Sequence, residues 1–178
     1  QNLILSVGRF TKTFQAKKQE VLIKVFSDLI SGGLKDWRLV ITGLLKKEDV
    51  NYFKFLEKIT AGLPVTLLAN ASFKDLQRLY GTAKIYWHAA GFSENEIVHP
   101  ERMEHLGIAV IEAMAAGCVP VAIGKGGIPE IIDDGKTGFL WQEKEDLKNL
   151  TLQLIKSPEK MAEISKLEII NCQKFNEK

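Results

Sequence analysis

Basic and acidic side chains are concentrated in two separate segments of the sequence. Residues 1–24 contain five basic residues against the single acid Glu20. Residues 93–118 contain five glutamates against the single arginine Arg102. Arginine and lysine bind phosphate, and carboxylates accept hydrogen bonds from hydroxyl groups. If the fold brings the two segments together, they suit a ligand that carries both phosphates and hydroxyls.

One predicted helix of the acidic segment has features of an anion site. Gly107 opens this helix, and a glycine there lets a ligand approach the unpaired N–H groups, where the helix dipole favours negative charge. Glu112 follows about one turn later among apolar neighbours, so its carboxylate needs a partner, either structural or from a ligand. Phosphates at the helix start would bring hydroxyls of the same ligand close to Glu112.

The histidines and one glycine-rich segment leave other interpretations open. His88, His99 and His105 are 11 and 6 residues apart, which fits no compact metal-ligand pattern. We expect His99 and His105 to line a ligand pocket, and His88 to pack or hydrogen-bond at the end of a strand. Gly124–Gly127 resembles half a phosphate loop, and the sequence leaves open whether it contacts the ligand or is only a flexible turn between strand and helix.

Short apolar runs alternate with segments of helical period along the chain, which predicts an α/β, Rossmann-like fold. The six predicted strands are Leu3–Val7, Arg38–Thr42, Pro64–Leu68, Ile85–Trp87, Val119–Ile123 and Gly138–Trp141. They should form a parallel sheet with helices on both faces. In a 3-2-1-4-5-6 order the sheet reverses between the first and fourth strands, where ligands bind. The loops Gly8–Lys18 and Ala89–Gly107 should therefore meet.

Helix boundaries are marked by capping residues and glycines. Apolar residues from Val21 to Ile30 predict a helix that ends at Gly32-Gly33, and Asp49–Thr60 has the same period. Ser72 should cap the next helix, and Pro158 should begin the last one.

Length and composition restrict the class of protein. The chain has 178 residues, 46% of them hydrophobic and 26% charged, as expected for one soluble globular domain. The sequence contains no run of about 18 apolar residues, so it predicts no membrane-spanning helix. The net charge of +2 is too balanced for a nucleic-acid binder. Cys118 and Cys172 match no metal or redox spacing, which favours a reducing, cytoplasmic compartment. The abrupt ends predict one half of a larger protein.

Several motifs follow one another in order along almost the whole chain. They are Val7-Gly8-Arg9, Lys17–Ile23, His99–Ile108 running into Val110–Val121, Gly126–Ile132 and Asp134–Leu140. Together they resemble the retaining nucleotide-sugar glycosyltransferases of family 4. The signature of that family is a pair of glutamates separated by seven residues, here Glu104 and Glu112.

The resemblance implies a GT-B enzyme with two Rossmann-like domains. Residues 1–178 would be the C-terminal, nucleotide-sugar-binding domain, and the N-terminal acceptor domain would be absent from this chain. The whole enzyme would transfer a hexose-type sugar with retention from a UDP- or GDP-linked donor to a glycan, lipid-linked or small-molecule acceptor, as in polysaccharide biosynthesis. The resemblance implies no metal, no other cofactor and no nucleic-acid partner. The compartment would be the cytoplasm or the inner face of the membrane, with at most peripheral contact.

The resemblance also assigns roles to individual residues. Arg9 and Lys17 would hold the donor diphosphate, with Lys18 as the alternative lysine. Glu104 would bind the transferred sugar and Glu112 the ribose, so the predicted catalytic residues are Glu104, Arg9 and Lys17. The other predicted donor contacts are Gly8, Leu106, Gly107, Ile108, His99 and His105, and the base is expected near Ala69–Phe73.

Two other functions fit the same architecture. One is a binding-only module that retains the donor pocket without transfer, and the other is a sugar-nucleotide epimerase or phosphorylase. The paired glutamates disfavour the phosphorylase, which would lead us to expect a lysine bound to pyridoxal phosphate. As half of an enzyme, the isolated chain is expected to bind the donor weakly and to be inactive in transfer.

Overall fold

Parallel strands form one sheet in the structure, a computed structural model that describes residues 2–13 and 15–173, with side chains as far as residue 167. The strands are β1 Asn2–Val7, β2 Trp37–Gly43, β3 Val65–Ala69, β4 Ile85–His88, β5 Val119–Ile123 and β6 Phe139–Trp141. Their order is β3-β2-β1-β4-β5-β6, and every pair is parallel. The predicted sheet order is confirmed, and the reversal lies between β1 and β4.

Helices cover both faces of this sheet. They are α1 Gln19–Ser31, α2 Val50–Thr60, α3 Phe73–Thr82, α4 Ile108–Ala115, α5 Ile128–Ile131, α6 Lys144–Lys156 and α7 Pro158–Gln173. One face packs against α1, α2, α6 and α7, and the other against α3, α4 and α5. The helix predicted over Asp49–Thr60 corresponds to α2, except that Asp49 belongs to the 3-10 turn Lys47–Asp49 directly before it.

Burial of the sheet on both faces explains why its strands are continuous apolar runs. In β1, Leu3 and Leu5 belong to the core under α3 and α4, whereas Ile4 belongs to the opposite core under α1 and α6. Successive strand residues point to opposite faces, so a strand covered on both sides favours apolar residues at consecutive positions, as at Leu3, Ile4 and Leu5.

Local capping residues act as predicted. The Ser72 hydroxyl accepts a hydrogen bond from the backbone N–H of Asp75 at 3.1 Å, and Pro158 is the first residue of α7. Cys118 is buried, and its sulfur donates to the Tyr80 carbonyl at 3.1 Å. The side chain of Cys172 lies outside the described residues.

Glycines allow close backbone contacts at the carboxyl edge of the sheet. A Cβ on Gly43, at the end of β2, would overlap the carbonyl oxygen of Gly8, which follows β1. After β5, a Cβ on Gly127 would overlap the carbonyl oxygen of His105, and its N–H donates to the Glu104 carbonyl at 2.8 Å. The turn at Gly127 therefore supports the backbone of residues 104–105 directly.

This contact predicts a large effect of one methyl group. Gly127→Ala should lower the free energy of unfolding by about 1–3 kcal/mol, because the added Cβ must displace the Glu104–His105 backbone. Gly81→Ala is the matched control, since Gly81 lies in α3 with open space around it. That change should raise stability by up to about 1 kcal/mol. Urea denaturation measures both, and a Gly127→Ala protein as stable as wild type would contradict the predicted contact.

Candidate functional site

The loops after β1 and β4 meet at the reversal of strand order and form a cleft of about 360 Å³. Its lining comprises Val7, Gly8, Arg9, Gln15, Lys17, His88 and residues 104–110. A hollow of about 530 Å³ lies at the opposite edge of the sheet, where Asn2 begins β1 and Met161 lies on α7. Lys84 is the charged residue of that hollow, so the cleft, with cations and a carboxylate together, is the candidate site.

An ion pair joins the two loops across the cleft. The Lys17 ammonium donates to Oε2 of Glu104 at 2.5 Å, and both side chains are about one-fifth exposed. Oε1 of Glu104 accepts from the Gly107 N–H at 3.3 Å. His88 and Lys17 hold the pKa of Glu104 well below its usual range, although burial opposes this shift. Glu104 is therefore a carboxylate at neutral pH.

The two candidate lysines face different partners. Lys17 lines the cleft, whereas the Lys18 ammonium binds Oε1 of Glu94 at 2.6 Å and is not among the cleft-lining residues. Arg102 donates to the other Glu94 oxygen at 2.9 Å. Lys18 has a left-handed backbone, with φ of 55°, directly before α1. The geometry thus favours Lys17 over Lys18 for a ligand in the cleft.

Arg9 lies exposed at the mouth of the cleft, and its backbone is fixed from behind. The Gln19 side-chain amide donates to the Arg9 carbonyl at 2.8 Å and is itself buried. Tyr52 donates to the Gln19 oxygen at 3.0 Å. Sequence reasoning missed Gln19. The signal in the sequence was that Gln19 is polar but lies on the apolar face of α1, three positions before Leu22 and seven before Phe26.

The N-terminus of α4 closes one side of the cleft. Gly107 has φ of 57°, and a Cβ there would meet the Ile131 side chain at 2.5 Å. The N–H groups of Val110 and Ile111 bond to the Gly107 carbonyl, so those of Ile108 and Ala109 precede the first helical bonds. The exposed side chains of Leu106 and Ile108 add apolar surface beside these donors.

Glu112, expected to need a partner, has a structural one. Its Oε2 accepts a hydrogen bond from the Tyr80 hydroxyl at 2.9 Å, and burial raises the pKa of Tyr80 above its usual value. Glu112 is exposed on α4 and is not among the cleft-lining residues. Sequence reasoning missed Tyr80 because α3 and α4 meet only in the folded chain.

The other predicted residues lie around the cleft. His105 lines it, and its Nε2 is 3.0 Å from the Pro100 carbonyl oxygen. His99 is not a lining residue, and its Nδ1 is 3.2 Å from Glu101. The segment Ala69–Phe73 lies beyond the cleft lining, and there Asn70 accepts from the Leu45 N–H at 2.9 Å.

The glycine-rich segment after β5 holds the acidic loop. Lys125 donates to the Glu94 carbonyl at 2.8 Å, and the Gly126 N–H donates to the Glu96 side chain at 2.8 Å. Its donors thus bind the loop after β4, which favours the interpretation as a structural turn. The described residues contain no group of three or more His, Cys, Asp or Glu side chains arranged to hold a metal ion. Within the described part of the chain, no helix is long and apolar enough to cross a membrane.

Fold and cleft together define a Rossmann-like α/β domain with cations and a carboxylate at its topological switch point. Residues 1–167 match the family Glycosyl transferases group 1, and the chain belongs to that family. The family membership predicted from the motifs is confirmed, as is the predicted fold of GT-B C-terminal domains.

Curated and solved relatives agree with this assignment. The chain is 31% identical over 142 residues to sulfoquinovosyl transferase SQD2 of Arabidopsis thaliana, covering 78% of this chain and 23% of that protein. The C-terminal domain of the glycosyl transferase group 1 family protein LpcC from Francisella tularensis superposes with a TM-score of 0.75 at 22% identity, covering 94% and 82% of the two chains. Anabaena Alr3699/HepE, solved in complex with UDP, superposes with a TM-score of 0.75 at 21% identity, covering 97% of this chain and 44% of that chain. The chain therefore spans less than half the length of SQD2 or HepE.

The Lys18–Glu94–Arg102 network predicts a pH-dependent contribution to stability. Its two cations lower the pKa of Glu94 to about 2 from an ordinary 4.5. A depressed carboxyl pKa stabilises the fold above the unfolded-state pKa, and this contribution is lost as the pH falls from about 4.5 towards 2. Glu94→Gln should cost about 1 kcal/mol at pH 7.

Urea denaturation of wild type and Glu94→Gln at pH 7, 4 and 3 measures this contribution. The difference between the two proteins should shrink as the pH falls. A difference that stays constant over this range would mean that the ion pairs do not stabilise the fold.

Proposed function

We propose that this chain is the nucleotide-sugar-binding C-terminal domain of a GT-B glycosyltransferase. The whole protein transfers a hexose-type sugar from a UDP- or GDP-linked donor to a glycan, lipid-linked or small-molecule acceptor, with retention. The observation that carries the proposal is the cleft in which Arg9, Lys17 and the N-terminus of α4 surround one ionised carboxylate, Glu104. The complexes of HepE with UDP and with UDP-glucose support it, because that protein has the same fold.

The diphosphate of the donor binds between the end of β1 and the start of α4. Arg9 supplies a guanidinium that can contact two phosphate oxygens, and Lys17 supplies a point charge. Gly8 keeps the strand end free of a side chain, since a Cβ there would lie 2.6 Å from the Lys17 side chain. The unpaired N–H groups at Ile108 and Ala109 and the helix dipole add to the anion's stabilisation.

The two glutamates bind different hydroxyl groups of the donor. Glu104 lies in the cleft beside the diphosphate position and accepts hydrogen bonds from the transferred sugar. Glu112, one turn into α4 and oriented by Tyr80, accepts them from the ribose. Leu106 and Ile108 pack against the donor, His105 contacts it at the rim, and His99 and Lys18 support the surrounding loop.

Diphosphate binding requires one exchange of partners. In the free chain Lys17 is bound to Glu104, so neither the ammonium nor Oε2 of the carboxylate is fully available to a ligand. A diphosphate offers Lys17 a more highly charged partner. When Lys17 leaves Glu104 for the diphosphate, Oε2 of Glu104 becomes free to accept a hydrogen bond from a sugar hydroxyl. Nucleotide binding and sugar binding are thereby coupled through a single ion pair.

Transfer proceeds on the face of the sugar from which the diphosphate leaves. The bond between the anomeric carbon and the phosphate oxygen breaks with its electron pair on the phosphate. The acceptor oxygen bonds to that carbon on the same face, and the phosphate oxygen takes the hydroxyl proton. Arg9, Lys17 and the start of α4 stabilise the charge that develops on the leaving group, so these groups supply the electrostatic contribution without a metal ion. The second domain of a GT-B enzyme would supply the acceptor contacts and exclude water.

Arg9→Ala tests the diphosphate site. The change should weaken UDP or GDP binding by about 1.5–3 kcal/mol, because it removes hydrogen bonds between charged groups. Arg38→Ala is the control, since Arg38 is exposed on β2 at the opposite end of the sheet. Calorimetry with and without EDTA measures the affinity, which the chelator should leave unchanged. Equal affinities for wild type and Arg9→Ala would refute the site, and loss of binding in EDTA would show that a metal is required.

The two glutamates should differ in the ligands that they affect. Glu112→Gln should weaken UDP and UDP-glucose equally, by about tenfold, because both ligands carry the ribose. Glu104→Gln should lower the affinity for UDP-glucose by a similar factor relative to the affinity for UDP. The affinity for UDP itself should not fall, because Lys17 is then free to bind the diphosphate. Titration of both ligands into both variants measures the four affinities. A Glu104→Gln protein that loses as much UDP affinity as Glu112→Gln would contradict the roles.

A further inference from the structure

His88, the last residue of β4, presents a buried imidazole to the cleft. Its side chain is 5% exposed, and it is one of the residues that line the cleft. Among the described residues, neither ring nitrogen has a hydrogen-bond partner. Nε2 lies 3.5 Å from Oε2 of Glu104, within ion-pair distance but longer than the roughly 2.7–3.2 Å of an N–H···O hydrogen bond.

A buried polar group without a partner is costly, so its retention in the cleft points to a partner in another state of the site. Burial lowers the pKa of His88 below its ordinary value, which makes the ring neutral at pH 7. A neutral imidazole has one N–H donor and one acceptor nitrogen. Because Glu104 is an ionised acceptor, the nitrogen that faces it must carry the proton, which assigns the Nε2–H tautomer.

The position of this donor is fixed by rigid elements. The backbone of His88 pairs with Ala122 in β5, and its carbonyl accepts from the buried Trp141 indole at 3.1 Å. The ring therefore stays beside Oε2 when the flexible Lys17 side chain moves. Its neutrality also matters, because it neither competes with Lys17 for a phosphate nor removes the charge of Glu104.

We propose that His88 is a positioning residue that replaces Lys17 at Glu104 when a nucleotide sugar binds. As Lys17 moves to the diphosphate, the carboxylate turns towards His88, and Oε2 accepts from its Nε2–H. Oε1 remains bound by the Gly107 N–H, so the carboxylate is held at both oxygens with lone pairs left for a sugar hydroxyl. This inference rests on the proposed function, in particular on the roles of Lys17 and Glu104.

A matched pair of substitutions tests the position of the donor. His88→Gln retains an N–H donor near the place of Nε2, whereas His88→Asn has a shorter side chain whose amide corresponds to Nδ1. Both replacements are neutral and polar, so burying either side chain costs a similar free energy. Thermal unfolding of both variants establishes that they fold.

The measurement is the affinity for a nucleoside diphosphate sugar divided by that for the nucleoside diphosphate alone. Calorimetry with UDP, UDP-glucose, GDP and GDP-mannose identifies the pair that wild type binds, and that pair is used throughout. His88→Asn should lower the ratio about tenfold, as for one hydrogen bond to a charged group, with unchanged affinity for the diphosphate. His88→Gln should keep the ratio within about threefold of wild type.

Three results would overturn the proposal, and they differ from one another. A ratio that is unchanged in His88→Asn, whether both affinities stay the same or fall by the same factor, would mean that His88 only packs. Nitrogen NMR of the wild-type chain reports the tautomer without any variant, and a proton on Nδ1 would exclude the Nε2–H donor. Failure of wild type to bind any of the four nucleotides would instead overturn the proposed function itself, and this inference with it.

Discussion

The contact between Lys17 and Glu104 is the interaction on which the site depends. The two residues are 87 positions apart, and their ion pair joins the loop after β1 to the loop after β4. Because the two side chains are only about one-fifth exposed, neither charge is well solvated, and each needs the other or a ligand. An anion that contacts Lys17 therefore changes the surroundings of Glu104 directly. This coupling allows one small cleft to respond to phosphate and to sugar together.

Backbone packing at the sheet edge makes that contact possible. Neighbouring parallel strands end at the same edge, and the adjacency of β1 and β4 follows from the reversal of strand order. Gly43 lets the end of β2 approach Gly8, and Gly127 lets the turn after β5 support Glu104 from beneath. Because each close approach leaves no room for a Cβ, Gly43 and Gly127 fix the backbone at Gly8 and at Glu104–His105, although neither glycine lies in the cleft itself.

Most of the fold could be predicted from the sequence because its signals are local. A strand buried on both faces is an apolar run, as β1 is, and a Ser72 cap or a Pro158 start depends on a few neighbouring residues. The predicted helix began one residue early, at Asp49, because apolar period does not fix the exact end of a helix. The ordered motifs also predicted the family, since the glutamate pair and its flanking residues are read directly from the chain.

The sequence by itself determined the sheet, the order of its strands, the family and the two oppositely charged loops. Only the tertiary structure decided which lysine enters the cleft, since Lys17 and Lys18 are adjacent and Glu94 takes the second. It also decided that Tyr80 holds Glu112 and that the His88 ring is buried beside Glu104. These outcomes depend on distances between side chains from distant parts of the chain, and packing of the helices and loops sets those distances.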